Sequence, residues 1–426
     1  MSGRRQEQVA PTIAIVGSGP SGCYTAQFLR KELPDAEITI FEALPVPYGL
    51  VRYGVAADHQ GTKAVAAQFD RMFSRSNVTF VGNTRVGVDI DFAAITESFD
   101  VVVAATGLAA DRELPVPHEA GARVVGAGQI LRLLNAFPDA AAPMLAPLTE
   151  PLGEELVVVG HGNVAIDVVR LLAKEGRHFR GSDVHDEALR VLRPVAPSSV
   201  RVIGRSSAEN AKFDLAMLRE LCALDTVSVA VEGLDDDVSS PVAELLHESA
   251  SHRPTREPRA TTVTFHFRTV PRSVRVQSGR TVLDVTDPTG AAASYPADTL
   301  VTAIGFCHNN ITARDPWTAP HIYRVGWFER GARGNIAENR KHAQQTAKSI
   351  VADLESSRTP SGLRPGLAGV RDALRHSVVD FSGWQAIDAT ERRAADDERC
   401  RRKIASLDDM VSIAAENHFV RQDAGR

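Results

Sequence analysis

Two short glycine-rich stretches carry the residue types best suited to chemistry. The first is Gly17-Ser18-Gly19-Pro20-Ser21-Gly22, with Glu42 twenty positions past its last glycine. In this spacing Gly17 permits a tight turn, Gly19 lets backbone approach a pyrophosphate, and Gly22 lets a helix pack close to a strand. Pro20 and Ser21 open that helix, whose N-terminal N–H groups and partial positive charge suit phosphates. Glu42 can accept hydrogen bonds from a ribose. The second stretch, Gly160-His161-Gly162-Asn163-Val164-Ala165, puts alanine at the third glycine, which the motif tolerates. No Glu or Asp closes its next strand; Arg205-Ser206-Ser207 does. Arginine there favours a 2′-phosphate, hence NADP(H) over NAD(H), the alternative being a solvated surface charge.

The elements that must position these residues are legible around them. Thr12–Val16 is an apolar run of strand length, Cys23 to Leu33 reads as a helix, and Ile38–Phe41 as a second strand. Leu156–Val159, the helix from Ala165 to Lys174 and Ser199–Ile203 repeat the pattern. Phe99–Gly107 ends in Ala105-Thr106-Gly107, and Leu300–Gly305 ends in Ala303-Ile304-Gly305. A strand that stops at glycine lets the chain leave beside a ligand, which marks Thr106 and Gly107. The expected fold class is α/β, with two Rossmann-like dinucleotide-binding domains. The first, for FAD, spans 10–107 plus 300–426; the second, for NADP, spans 108–299 and is inserted in it.

The remaining segments are less regular. Residues 43–59 form an irregular loop, of a length that is uncommon in a compact domain unless it lines a site. Lys63 to Arg75 reads as a helix, and Val78–Gly82 and Arg85–Val88 as a small paired unit. Glu232 to Arg259 reads as a mobile loop with a short helix around Pro241 to Glu248. Thr262–Arg268, Ser273–Gln277 and Thr281–Thr286 read as antiparallel strands. Val325–Ala337 holds three glycines and Trp327 before a helix at Glu338–Leu354, an approach that suits a bound ring or anion as well as a packing turn. The tail, Val378–Ile387 and Glu391–Asn417, reads as charged helices without identifiable chemistry.

Composition narrows the function classes. A formal net charge of −5 argues against a nucleic-acid protein. The four cysteines (Cys23, Cys222, Cys307, Cys400) form no C-x-x-C, so neither a metal site nor a dithiol centre is indicated, and they suit a reducing cytoplasm. No signal peptide and no apolar run of membrane-spanning length appears. No nucleophile elbow or P-loop is present. Two nucleotide sites in one chain suit hydride transfer between nicotinamide and flavin.

The motifs together resemble the adrenodoxin reductase family of NADPH:ferredoxin reductases. The likeness is carried by Val46-Pro47-Tyr48-Gly49-Leu50-Val51-Arg52 through His59, by Gly160 to Val168, by Leu218 to Leu221, and by Gly326 to Ile336. Gly383-Trp384 through Asp388 and Leu407 to Met410 extend it into the tail. The resemblance implies that Gly17 to Gly22, Glu42, Leu50 and Val86 hold FAD, with Trp327, Gly334, Asn335 and Ile336 at its isoalloxazine. It implies that Arg112, His161, Gly162, Asn163, Val164, Arg205 and Ser206 bind NADP. His59 and Glu220 match a titratable pair near the nicotinamide pocket; by itself His59 reads more often as a structural loop histidine, and the motif makes the two readings even. The implied partner is an acidic ferredoxin-like electron-transfer protein. Departures from the family pattern are Ser206 for a second arginine, Met217 for a glutamate, His161 for asparagine and Arg333 for threonine, with a short segment between Phe306 and Tyr323. They keep open a flavin oxidoreductase acting on a small molecule with altered nicotinamide use.

Overall fold

Two parallel sheets frame the molecule, each built around one glycine motif. The structure is a computed structural model. It describes residues 10–138, 148–234, 240–251, 260–308, 317–356, 362, 364–375 and 377–424, with side chains to 416. The first sheet has strands β1 (Thr12–Val16), β2 (Glu37–Phe41), β3 (Val78–Val81), β4 (Val101–Ala104) and β16 (Ile322–Arg324), in the order β16-β4-β1-β2-β3. The second has β6 (Val124–Gly126), β7 (Glu155–Val159), β8 (Ser199–Ile203), β9 (Val227–Glu232), β10 (Thr261–His266) and β14 (Thr299–Thr302), in the order β6-β14-β7-β8-β10-β9. All pairings in both are parallel. β1 and, after Glu155, β7 are buried because both faces are covered, β1 by helices and β7 by helices on one side and residues 270–297 on the other, which is why they read as continuous apolar runs. In each sheet the chain leaves the motif strand for neighbours on its two opposite sides, β2 and β4 in one, β8 and β14 in the other. That crevice is where such sheets hold ligands.

Three expectations need correction. β14 pairs with β6 and β7, so a division drawn at 299/300 cuts through a strand of the second unit. Thr261–His266 is a parallel strand of that sheet, not part of the antiparallel set. Its alternating burial looks the same either way, and its neighbours β8 and β9 lie far back in the chain. The antiparallel set is β11 (Val270–Gln277), β12 (Arg280–Thr286) and β13 (Ala292–Ala297). Arg85–Val88 forms no strand; Val86 makes one bridge, to Ile90.

The two connections between the units pair with each other. β5 (Ala110–Asp111) and β15 (Phe306–Cys307) form a short antiparallel ribbon. Helix Pro20–Glu32 follows the first motif and Asn163–Ala173 the second. The expected helix from Lys63 splits into a turn, Gln60–Lys63, and a helix, Ala66–Arg75. The helix after Trp327 runs Ile336–Glu355, and the tail is two helices, Phe381–Arg393 and Leu407–Ala424. Helix Pro241–Ser251 is present. The rest of the expected mobile loop, at 235–239 and 252–259, lies outside the described residues, as do 309–316 of the short segment. Among the described residues no helix is long and apolar enough to cross a membrane.

Candidate functional site

The first glycine loop is shaped by close backbone approaches. Gly17 has φ +107°, and a Cβ there would sit 2.5 Å from the Ala105 carbonyl oxygen. A Cβ on Gly22 would sit 2.0 Å from the Gly17 oxygen, so helix Pro20–Glu32 presses directly on the turn. Gly19 is the opposite case: a Cβ there would meet nothing within 4 Å, leaving open space above the helix N-terminus. Pro20 occupies the first turn, where its missing N–H costs nothing. Glu42 ties the loop down, accepting from Ser18 N at 3.0 Å and Ser18 Oγ at 2.6 Å.

The Pro-Tyr-Gly loop closes over this cradle. Tyr48 N donates to the Ser18 carbonyl at 3.2 Å, and a Cβ on Gly49 would come 3.2 Å from Gly19 Cα. Tyr48 adopts φ +84°, a strained value for a non-glycine residue. Packing enforces it: the Tyr48 hydroxyl donates to Asp70, and its ring meets Trp384 edge-on at 5.9 Å and Phe69 at 5.9 Å. Leu50 then opens a single helical turn, Leu50–Tyr53. From the other side Gly326 approaches so closely that a Cβ would lie 2.0 Å from Ser21 Oγ.

The other expected FAD contacts cluster at the same edge of the sheet. The Thr106 hydroxyl is buried with no hydrogen-bond partner among the described residues, and Gly107, at φ +67°, leaves open space. Trp327 is not a core residue; it is partly exposed, stacks on Phe306 at 5.6 Å and donates from Nε1 to the Arg333 carbonyl at 3.1 Å. Asn335 caps the next helix, accepting from Glu338 N at 3.1 Å, beside Gly334 and Ile336. Val86 packs with the apolar cluster on the far face of β2 and β4. An orphaned hydroxyl, two open glycines and a free helix N-terminus fit a dinucleotide phosphate group at this loop.

The second loop repeats the first in detail. Gly160 has φ +136°, and its Cβ would lie 2.3 Å from the Ala303 oxygen. Gly162 is open like Gly19, and Gly305, at φ +103°, is open like Gly107. Asn163 Oδ1 accepts from Asp214 N at 2.6 Å, and Val164 packs on the core. Arg205 is exposed at the end of β8, with no acidic partner among the described residues. Ser206 beside it is partly exposed and gives its carbonyl to Arg268 N at 3.0 Å. Arg112 lies on the connecting ribbon, its N donating to the Gly305 carbonyl at 2.9 Å.

His161 does not join this set through its side chain. The imidazole is 7% exposed, packs on Phe267 at 4.6 Å and lies opposite the Val202 carbonyl at 3.3 Å. Its space exists because residue 204 is glycine; a Cβ there would strike the ring at 2.3 Å. Burial lowers its pKa to about 4, so the ring is neutral near pH 7. Only its backbone remains available to the loop. Met217 likewise packs against the core of the second unit.

His59 and Glu220, 161 positions apart, come together across the seam between the units, with Nε2 and Oε2 at 3.0 Å. The pair sits in a larger set that the sequence left unmarked. His59 Nδ1 is 3.5 Å from Asp167 Oδ1, and Arg170 reaches Asp167 at 2.9 Å and also binds Asp58, which Lys174 shares. Burial pushes the Asp58 carboxyl up, but Arg170 and Lys174 outweigh it and hold it at about 2. Burial raises Asp167 against Arg170 and His59. The signal for Asp167 and Arg170 was their i,i+3 spacing on the motif helix, which reads equally as a solvated pair. This network joins the Pro-Tyr-Gly loop of one unit to the nucleotide helix of the other.

Comparison with known proteins agrees with this geometry. Residues 11–316 match the pyridine nucleotide-disulphide oxidoreductase family. The cindoxin reductase of Citrobacter braakii is 42% identical over 96% of this chain and 92% of that protein. The NADPH-ferredoxin reductase FprA of Mycobacterium tuberculosis is 31% identical over 94% and 98%, and the mitochondrial NADPH:adrenodoxin oxidoreductase of Rattus norvegicus 30% identical over 96% and 92%. The solved structure of Mycobacterium tuberculosis FprA in complex with NADPH has a TM-score of 0.84 at 30% identity, covering 95% of this chain and 100% of that one. The chain belongs to the pyridine nucleotide-disulphide oxidoreductases and, within them, to the adrenodoxin reductase-like ferredoxin reductases.

Proposed function

We propose that this chain is an FAD-dependent NADPH:ferredoxin reductase of the cytoplasm. In this reading the unit of residues 10–107 and 304–426 holds FAD, and residues 108–303 hold NADP(H). The observation that carries it is the duplication of one cradle: an open glycine and a helix N-terminus beside a positive-φ glycine turn, at Gly17 to Gly22 and again at Gly160 to Ala165. Bound FAD supplies the hydride acceptor and a carrier that can release electrons singly. The protein's own residues bind, orient and shield. Gly19 and the helix after it face the pyrophosphate, Glu42 fixes the loop and faces the ribose, and Trp327 covers the ring edge. Arg205 meets the 2′-phosphate, with Ser206 beside it. His59, held between Glu220 and Asp167, orients the nicotinamide end and can move a proton between ring nitrogen and carboxylate. The partner is an acidic ferredoxin-type iron–sulfur protein, in keeping with the ferredoxin and adrenodoxin in the names of two of the relatives.

The small-molecule alternative loses support because two of its four departures are packing residues: His161 and Met217 face the core. Anaerobic mixing of the purified protein with NADPH and NADH in parallel tests the reading. NADPH bleaches the flavin faster, and Arg205→Ala lowers kcat/KM for NADPH roughly 10- to 100-fold while sparing NADH, the worth of one charge-assisted hydrogen bond. Equal rates with both nucleotides, or no turnover with any ferredoxin, would overturn it.

A further inference from the structure

The tail that carries no recognisable chemistry leaves one unit and grips the other. Helices Phe381–Arg393 and Leu407–Ala424 pack together on the first unit, with Trp384 buried against Tyr48. Between them, residues 394–406 cross to the second unit. There Gly181 N donates to the Glu398 carbonyl at 2.8 Å and Cys400 N to the Ser182 carbonyl at 3.0 Å. Arg399 Nη2 meets Asp186 at 2.7 Å and its Nη1 donates to the Phe179 carbonyl at 3.2 Å.

The crossing then drives a lysine into the seam. The Lys403 side chain is 1% exposed. Its Nζ donates to Asp183 Oδ2 at 3.0 Å and Asn135 Oδ1 at 2.7 Å in the second unit, and to the Arg52 carbonyl at 3.1 Å in the Pro-Tyr-Gly loop of the first. Lys63, from the turn after that loop, shares the same partners, Asp183 Oδ1 at 2.7 Å and Asn135 Oδ1 at 2.5 Å. Arg52 in turn binds Glu391, which is fully buried and also accepts from Arg401 at 2.9 Å and Ile404 N at 3.0 Å. Two buried lysines on one aspartate are costly, because desolvating a charge is repaid only by close partners. A surface position would avoid that cost; what the cluster provides is a fixed register among the flavin-side loop, the nicotinamide unit and the tail.

We propose that residues 394–406 are a strap that sets the orientation of the second unit over the first, with Lys403 as a positioning residue for hydride transfer. The proposal rests on the FAD and NADPH assignment above. Hydride transfer demands reacting atoms within about 3–3.5 Å, and a misplacement of about 1 Å costs on the order of a hundredfold. A seam that loosens therefore slows transfer while leaving each nucleotide's own cradle intact.

The test uses the full-length FAD-loaded protein and two variants, Lys403→Met at the buried end and Asp186→Ala at the outer, partly exposed end. Amide hydrogen exchange at residues 179–186 rises in both, whatever nucleotide is present. The rate of flavin bleaching at saturating NADPH falls roughly 10- to 100-fold, while NADP+ affinity and FAD content stay at the parent values, a loss in kcat rather than in binding. Parent rates in variants whose exchange has risen overturn the positioning role. Unchanged exchange in both overturns the strap. If Lys403→Met does not retain FAD, Asp186→Ala decides by the same two readings. If the parent itself is not reduced by NADPH, the assigned activity fails, and hydrogen exchange alone still judges the strap.

Discussion

Replacing His161 by asparagine separates packing from binding at the second nucleotide loop. The imidazole is buried among Phe213, Phe265 and Phe267, and its pKa falls from 6.5 to about 4. Those values correspond to a roughly 300-fold difference in proton affinity, worth about 3 kcal/mol. The sign follows from the lowered value. Above about pH 6.5 both folded and unfolded chains hold the ring neutral. Below it the unfolded chain takes up a proton that the folded chain refuses, so stability falls as pH drops toward 4. Urea unfolding of parent and His161→Asn, in saturating FAD, isolates this contribution as the difference between the two stability curves. That difference is flat in the neutral range and then changes by about 1.4 kcal/mol per pH unit down to about pH 4, the parent losing more. NADP+ affinity measured on the same proteins is the same for both in the neutral range. A difference curve flat throughout, or a loss of NADP+ affinity that deepens as pH rises, would refute the buried neutral ring and return His161 to the nucleotide site.

Other perturbations follow from the same geometry. Gly19→Ala folds but retains little FAD, because its Cβ fills space that only a ligand uses, whereas Gly22→Ala collides with the Gly17 carbonyl and lowers the thermal midpoint with or without added FAD; equal behaviour of the two in flavin-content and melting assays would contradict the cradle. Asp58 is held at about 2 by Arg170 and Lys174, so its pairing stabilises the folded chain above pH 3.8 by about 2 kcal/mol and is lost only as pH falls through about 2. Asp58→Asn therefore destabilises at neutral pH by about 3 kcal/mol or more, since it leaves Arg170 buried with less compensation; a neutral effect in urea unfolding would show that the pair is solvated.

What the sequence revealed and what it hid divide along sequence separation. Gly17 to Gly22 and Gly160 to Ala165 were readable because every residue of a dinucleotide turn lies within one strand–turn–helix stretch. His59 and Glu220 were paired only through motif likeness, as neither stands out from its neighbours by type. The inward turn of His161 was hidden because the space it fills is made by Gly204, just past the next strand. The direction of β10 was hidden because alternating burial does not distinguish parallel from antiparallel neighbours. The tail's helices were readable, but its buried contacts were not. Its run of Glu, Asp and Arg has the composition of a solvated surface, yet Glu391 finds Arg52 at a separation of 339 residues and Lys403 finds Asn135 at 268.

The order of strands has a consequence for how the chain is made. The second sheet is complete once β14 ends at Thr302, and all its strands lie in one continuous stretch from β6 onward. The first sheet waits for β16, and its covering helices run to the end of the chain. On the ribosome the second unit can therefore finish folding while the first still has an unpaired edge at β4. At ordinary synthesis rates the stretch from Thr302 to Ile322 takes on the order of one to four seconds. During it β1 already has β2 and β4 on its two sides, whereas β4 has β1 on one side and no strand on the other, so the first sheet closes after the second.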